Sequence, residues 1–262
     1  MKTTRRTFLI SGAAAGSMTV LPFAAQAAAH TSNVFNTPAG DITVHPVEHA
    51  SIVLETPVGT IYVDPVGDPS LYADFPRPDL VMITHEHGDH YNVDTLNGVI
   101  TDATVMFANP AVFDMMPENL QAVTMSIANG ETGTFDTLGI EAIPAYNITE
   151  ERLNFHPEGR DNGYILGFDG FRIYVSGDTE DTPEMRALTE IDLAFVSNNL
   201  PFTMDMEAAA SAVNEFAPTY VYPYHYRGRD GGTQDPNAFA ELVDDAIEVR
   251  IGDWYGGDVM PS

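Results

Sequence analysis

The segment Thr84-His85-Glu86-His87-Gly88-Asp89-His90 follows directly on the apolar run Leu80-Val81-Met82-Ile83. That juncture constrains the chain more than any other. The apolar run reads as a buried strand, and His85, His87, Asp89 and His90 crowd into the turn that leaves it. A turn of this kind points His85 and His87 at one ion, and Asp89 and His90 at a second a short distance away. Imidazole and carboxylate suit zinc, and also manganese or iron, and a catalytic centre keeps one position open for water. An incidental His-rich surface loop is the plain alternative. The spacing and the preceding strand weigh against it. The segment specifies metal; it does not by itself specify hydrolysis.

The length of 262 residues suits one domain with a real apolar core, spanning 28–262, behind a processed N-terminus. Cysteine is absent, so any metal is held by nitrogen and oxygen. The formal net charge is −27, and the only lysine is Lys2. Such a surface repels phosphate backbones and anionic lipid, which excludes nucleic acid as the expected partner. It also fits a saline habitat, where screening weakens self-repulsion. An acidic periplasmic protein is the other reading of the same composition.

Arg5-Arg6-Thr7-Phe8-Leu9-Ile10, the small-residue and apolar stretch from Ser11 to Ala24, and Ala25-Gln26-Ala27 resemble a twin-arginine export signal ending in an A-x-A cleavage site. A cleaved signal over 1–27 predicts recognition by the twin-arginine export machinery and a periplasmic or secreted protein. No other stretch is long and apolar enough to cross a bilayer, so stable membrane insertion is not expected.

Hydrophobic alternation and turn residues predict strands at Ile42–Val44, Ser51–Glu55, Thr60–Val63, Leu80–Ile83 and Ala103–Phe107, then a short helix from Asn109-Pro110 to Met116. The second half repeats the strand-rich character at Glu141–Pro144, Gly163–Phe168, Phe171–Val175, Ile191–Val196 and Tyr220–Tyr222. Helices are predicted after Thr182-Pro183 through Leu188, after Asp205 through Phe216, and after Asp235-Pro236 through Ile247. Two further ligand candidates fall where strands end: Asp178 in Gly177-Asp178-Thr179 and His225 in Pro223-Tyr224-His225.

With these motifs the chain resembles the metallo-β-lactamase superfamily. Within it, the chain is similar to the hydrolases like L-ascorbate-6-phosphate lactonase and N-acylphosphatidylethanolamine phospholipase D. The resemblance spans about 40 to 258 and is carried by the HxHxDH segment, Gly177-Asp178-Thr179, Pro223-Tyr224-His225, Glu48-His49-Ala50-Ser51 and Tyr62-Val63-Asp64-Pro65. It implies an α/β (α+β) fold, an αββα sandwich, with the site along one edge where strands end. It also implies His85 and His87 on a first ion, Asp89, His90 and His225 on a second, and Asp178 bridging them. A hydroxide held between the ions would be the nucleophile, with Asp89 helping to orient it.

One departure from that pattern stands out. The family adds a third histidine to the first ion, and here the corresponding stretch reads Pro144-Ala145-Tyr146-Asn147. Asn147 stands about where that ligand is expected. His156, nine residues further on, is the alternative, folding back as a substitute. The centre is therefore expected to hold one or two ions, zinc first, with manganese or iron accommodated by oxygen ligation. His49 has a substrate or supporting role as one reading and a hydrogen bond within the first hairpin as the other.

Beyond the signal the chain keeps eight basic residues, all arginine. Arg152 and Arg160 flank His156, while Arg227 and Arg229 follow His225. Their placement suggests a small anionic substrate; pairing with Glu150, Glu151, Asp161 and Asp230 is the competing account. Tyr146, Tyr224 and Tyr226 are candidates to line the pocket or to donate to an oxyanion. Cleavage of a small ester, lactone or phosphodiester is the leading function. A non-catalytic metal- or ligand-binding protein on the same fold is the alternative.

Overall fold

Alternation with period two sorts the strands' side chains into three apolar layers. In the computed structural model, which describes residues 33–228 and 233–255, Ile52, Leu54, Ile61, Val63, Leu80 and Met82 meet Ile173, Val175, Leu193, Phe195 and Tyr222 in one central layer. Their neighbours Val53, Tyr62, Val81 and Ile83 turn the other way, onto Leu96, Val99, Val112 and Leu120. Tyr174, Ala194, Val196 and Val221 likewise turn outward, onto Ala209, Val213, Phe216 and Phe239. Two sheets face each other and helices cover both outer faces: the expected αββα sandwich. The proposed signal over 1–27 lies outside the described residues, as does Arg229.

The first sheet runs in order β1 (Val34–Thr37), β2 (Gly40–Glu48), β3 (Ser51–Thr56), β4 (Gly59–Val63), β5 (Leu80–Ile83), β6 (Val105–Ala108), β7 (Thr124–Ser126). The second comprises β8 (Thr132–Phe135), β9 (Leu138–Ala145), β10 (Asp161–Phe168), β11 (Phe171–Val175), β12 (Leu193–Ser197), β13 (Tyr220–Tyr224) and β14 (Glu248–Val249), also in chain order. In both sheets the first four strands pair antiparallel and the last three join parallel. The two halves are thus topological repeats. Parallel pairing needs crossovers, and most of these carry the helices: α1 (Val93–Val99), α2 (Pro110–Met115), α3 (Glu118–Gln121), α4 (Pro183–Arg186), α5 (Met206–Phe216) and α6 (Pro236–Leu242).

Several boundaries differ from expectation for local reasons. The last helix stops at Leu242 rather than Ile247, because Asn214 Oδ1 on α5 takes the Asp244 amide at 2.8 Å. The strand expected from Ala103 begins at Val105, because Thr104 closes a turn onto Thr101 O (3.1 Å) and gives its hydroxyl to Pro78 O (2.7 Å). Helix α1 was not anticipated; it is short, contains Gly98, and is started by Asn92 Oδ1 accepting from Thr95 N at 2.9 Å. Near the C-terminus Trp254 is wholly buried against Tyr224 and Phe195, with ring centroids 5.7 and 6.4 Å away. Truncating so large a buried side chain costs about 3–5 kcal/mol, and Trp254 fixes the position of its neighbour Tyr255.

Candidate metal centre

Strand β5 ends on a buried polar knot. Thr84 donates its amide to Asp64 Oδ1 (2.8 Å) and its hydroxyl to Asp64 Oδ2 (2.6 Å). The same Oδ2 lies 2.8 Å from His90 Nδ1, so the ring donates there and presents Nε2 to the interior. With its proton committed to Asp64, the Thr84 hydroxyl oxygen accepts from His85 Nδ1 at 3.0 Å, which frees His85 Nε2 in the same way. His85 Nε2 and His87 Nδ1 face each other at 3.1 Å. Asp64 is fully buried at the end of β4. It was not among the expected site residues, although it sits in one of the motifs that carried the resemblance.

The other ligands arrive from other strand ends. Asp178 follows β11 across Gly177, whose φ of +61° sharply turns the chain. A Cβ at that glycine would stand 2.8 Å from Asn162 O, so the close approach requires glycine. His225 follows β13 with φ +50° and is fully buried. His156 comes from the long β9–β10 loop, which folds back as Asn147 N–H donates to His156 O at 2.8 Å. Glu180 holds the near side of that loop: its Oε2 accepts from Ile148 N and Thr149 N, and its Oε1 from Arg152, each at 2.6 Å. Asp161 Oδ2 lies 3.1 Å from His156 Nδ1, and Arg160 grips Asp161 at 2.7 and 2.9 Å while reaching Glu86 at 2.7 Å. Asp161 thereby fixes the tautomer in which His156 Nε2 faces inward, 3.5 Å from Asp178 Oδ2.

Among the described residues, three groups form in which the ligand atoms lie within 4.8 Å of one another: His85, His87 and His156; His85, His90 and Asp178; His49, Asp89 and His225. Asp89 Oδ2 is 3.5 Å from both His225 Nε2 and His49 Nε2. His225 Nε2 is also 3.7 Å from Asp178 Oδ2, and His90 Nε2 is 3.4 Å from Asp178 Oδ1. His90 Nε2, Asp178 Oδ1 and both His225 nitrogens are buried and have no hydrogen-bond partner. Each such group left unpaired costs about 1–3 kcal/mol, and native interiors rarely tolerate a cluster of them.

The protonation states suit a divalent cation. Burial, reinforced by neighbouring His90, His156 and His87, pushes His85 well below the ordinary histidine value, so it is neutral. Burial alone would raise Asp178, but His225, His90 and His156 outweigh it and keep the carboxyl ionised. Asp89 is likewise held far down by His225 and His49 against the effect of burial. Burial alone would lower His90, but with no cation present Asp178 and Asp64 outweigh it and raise the ring to about 9; a divalent ion would take the place of that proton. Imidazole nitrogens and ionised carboxylates converging on buried orphan atoms form a donor set that fits zinc, iron or manganese.

The remaining expected residues fall variously. Asn147 Nδ2 ties the β9–β10 loop to the segment after β12, donating to Arg152 O (2.9 Å) and Phe202 O (2.7 Å), while its Oδ1 is buried with no hydrogen-bond partner. Tyr224 does not line a pocket: the alternation of β13 turns it into the central layer beside Trp254, fully buried. Tyr146 gives its hydroxyl to Glu184 at 2.9 Å, and Tyr226 packs on Tyr255. Arg152 pairs with Glu180 rather than with Glu150 or Glu151, and Arg160 pairs with Asp161 and Glu86. Arg227 lies over the Tyr255 ring, 4.1 Å from its centroid.

His49 is held by Tyr255, a residue sequence reasoning did not single out. Arg227 N–H points at the Tyr255 oxygen (3.4 Å), and that hydroxyl lies 2.9 Å from His49 Nδ1. Burial pushes the Tyr255 phenol well above its ordinary value, so it stays protonated. The ionised Asp89 carboxylate faces His49 Nε2 at 3.5 Å and only accepts, so the ring carries its proton on Nε2 and Nδ1 accepts from the Tyr255 hydroxyl. A cavity of about 610 Å³ opens over the candidate ligands His87, Asp89, His156 and Asp178, walled by His49, Tyr255, Arg227, Asn199, Phe155 and Phe202. Asn199 Oδ1 accepts from the Thr203 hydroxyl at 2.8 Å, which fixes the orientation of its amide.

Known proteins match this architecture. Residues 43–225 match the family described as the β-lactamase superfamily domain. A UPF0173 metal-dependent hydrolase of Thermococcus kodakarensis is 33% identical over 178 residues, covering 66% of this chain and 78% of the relative. A crystal structure from Parabacteroides distasonis, a metal-dependent hydrolase by assignment only, superposes with a TM-score of 0.77 at 38% identity. That match covers 87% of this chain and all of the other. Igni18, a metallo hydrolase of Ignicoccus hospitalis, shares the fold at 24% identity, with a TM-score of 0.66 over 80% of this chain and 94% of the other.

Proposed function

This chain belongs to the metal-dependent hydrolases of the metallo-β-lactamase fold, and from that premise we propose that it is an exported enzyme cleaving a small ester, lactone or phosphodiester. In this reading His85, His87 and His156 hold one ion, Asp89, His90 and His225 a second, and Asp178 stands between them. The observation that carries it is the set of buried, unpartnered ligand atoms on His90, Asp178 and His225 facing the other candidates. His156 is favoured over Asn147, because its ring groups with His85 and His87 within 4.8 Å and its Nε2 lies 3.5 Å from Asp178 Oδ2.

A divalent cation bound there supplies Lewis acidity, polarising an acyl or phosphoryl oxygen and acidifying a water. The protein supplies orientation. Asp64, Thr84 and Asp161 set the tautomers of His90, His85 and His156. The Tyr255–His49 pair donates toward Asp89 and steadies a carboxylate that is otherwise half exposed. Arg227, stacked on Tyr255 at the mouth of the cavity, favours a substrate with an anionic group. Zinc is the leading metal, with iron or manganese as the alternatives.

The test pairs metal analysis with a hydrolysis panel on protein loaded separately with zinc, manganese and iron. One to two ions per chain and turnover of p-nitrophenyl phosphodiesters, esters or lactones are expected, with His156→Ala losing about one ion and Asn147→Ala retaining it. Metal bound at full stoichiometry with no turnover of any class would favour a non-catalytic binding protein. Export is tested by cell fractionation: replacing Arg5 and Arg6 with Lys should retain the protein in the cytoplasm, and unchanged export would refute the twin-arginine route.

A further inference from the structure

Two phenylalanines in the cavity have no part in the fold's core. Phe155 and Phe202 are half-buried, and neither joins any of the three apolar layers. Their rings meet edge to face, with centroids 5.0 Å apart and planes at 83°. Both line the cavity over the candidate ligands, and Phe155 immediately precedes His156. In a chain of net charge −27, a pair of aromatic rings kept partly open beside a polar centre calls for an occupant.

The pair is also held in place. Asn147 Nδ2 bridges the two loops that carry it, donating both to Arg152 O at 2.9 Å and to Phe202 O at 2.7 Å. Arg152 adds a second tie to Thr203 O at 2.9 Å, and Phe155 N–H donates to Arg152 O at 3.0 Å. The β9–β10 loop that supplies His156 therefore supplies an apolar wall as well, locked to the segment after β12. Preformed apolar walls beside a few fixed polar groups are how small-molecule sites select shape.

Resting on the metal-dependent hydrolase reading, we propose that the substrate carries an apolar group next to its scissile bond, seated on Phe155 and Phe202. A single ring or a short acyl chain has the right chemistry, and the ends of a highly charged polymer do not.

Ligand-observed NMR and calorimetric titration of methyl-, butyl- and benzylphosphonate, on metal-loaded and metal-stripped full-length protein, test this. All three probes share one anionic head, so their ratios report the apolar wall alone. Butyl- or benzylphosphonate, or both, should bind at least about tenfold tighter than methylphosphonate, the discrimination an apolar pocket gives for a methylene or more. Which of the two leads distinguishes a chain from a ring. Phe202→Ala and Phe155→Ala should bring the ratio within about threefold of unity, while Phe202→Leu should preserve the preference for butyl. A wild-type ratio near unity, or a ratio indifferent to both alanine variants, overturns the proposal. Metal content measured on the same samples separates the two readings. The preference without metal uptake sinks the hydrolase function and leaves the wall standing; metal uptake without the preference does the reverse.

Discussion

Asp161→Asn is the sharpest test of how the first ion's site is built. The carboxylate is fully buried and serves three donors: His156 Nδ1 at 3.1 Å, and Arg160 Nε and Nη2 at 2.7 and 2.9 Å. Asparagine keeps one acceptor oxygen and puts an NH₂ group where the other stood, so Arg160 and His156 compete for what remains. Removing such a supporting partner lowers metal affinity by about 10–100-fold, which is ~1.4–2.8 kcal/mol. Folding should suffer less than for a fully broken buried ion pair, since Arg160 is only partly buried and keeps Glu86 at 2.7 Å; a loss of about 1.5–3 kcal/mol, one charged hydrogen bond, is expected. Competition against a chromophoric chelator should resolve two affinities, with only the site of His85, His87 and His156 weakened. Equal weakening of both sites, or no weakening in protein whose circular dichroism is unchanged, would refute the claim that Asp161 orients His156.

Three further perturbations follow from the geometry. Gly177→Ala forces a Cβ to 2.8 Å from Asn162 O at a φ of +61°; the left-handed conformation alone costs about 1–2 kcal/mol, so a lower melting temperature and a displaced Asp178 with reduced metal uptake are expected, and a wild-type melt would contradict the packing. Glu180 is raised by burial but held below its ordinary 4.5 by hydrogen bonds from Thr149, Ile148 and Arg152. A depressed carboxylate stabilises above its unfolded value and loses that contribution as pH falls through the folded one. The melting gap between wild type and Glu180→Gln should therefore be widest near neutrality and close below pH 4.5, and a gap independent of pH would remove the latch from the account. Finally, raising salt from 0.1 to 1 M shortens the screening length from about 10 to 3 Å. A net charge of −27 then predicts a rising melting temperature in potassium chloride, and a flat response would argue against adaptation to a saline habitat.

The layers and the ligand turn were legible because both rest on short-range patterns. The near-continuous apolar runs in Ser51–Thr56, Phe171–Val175 and Leu193–Ser197 mark strands buried on both faces, and the strand period of two then assigns alternate side chains to the central layer. The His85–His90 turn is local in sequence and local in space. Less legible were the short polar strands β1, β7 and β8 at or near the sheet edges, whose pairing depends on neighbours rather than on their own composition. The roles of Asp64, Asp161 and Tyr255 beside the histidines were hidden for a related reason. Each acts through a histidine 26, 5 or 206 positions away, and nothing around an isolated Asp or Tyr announces such a partner. Tyr224 shares the central-layer face with Tyr222, two residues back on β13, a placement that its adjacency to His225 conceals.

Backbone strain explains how the strand ends become a site at all. Among the described residues, non-glycine positive φ occurs at His49, Asp64, Asp136, Glu190, Ala217 and His225. Ala217 ends helix α5 and Asp136 turns the tight β8–β9 hairpin, ordinary places for a left-handed residue. His49, Asp64 and His225 are different, because each is a candidate ligand or touches one. Tyr224 and Val63 both face the central layer, so a regular strand would send His225 and Asp64 outward under the helices. The left-handed turn breaks that alternation and carries the two side chains over the strand ends instead. It costs about 1–2 kcal/mol per residue, a penalty that would fall away with glycine or with a straight continuation. Strain of this kind persists where the surrounding structure over-determines it, and it gathers at functional centres. Its concentration on these three residues is an argument for function that is independent of the ligand chemistry and of the family match. It also singles out His49 and Asp64, the two of these three absent from the ligand set proposed above, as residues that support the site.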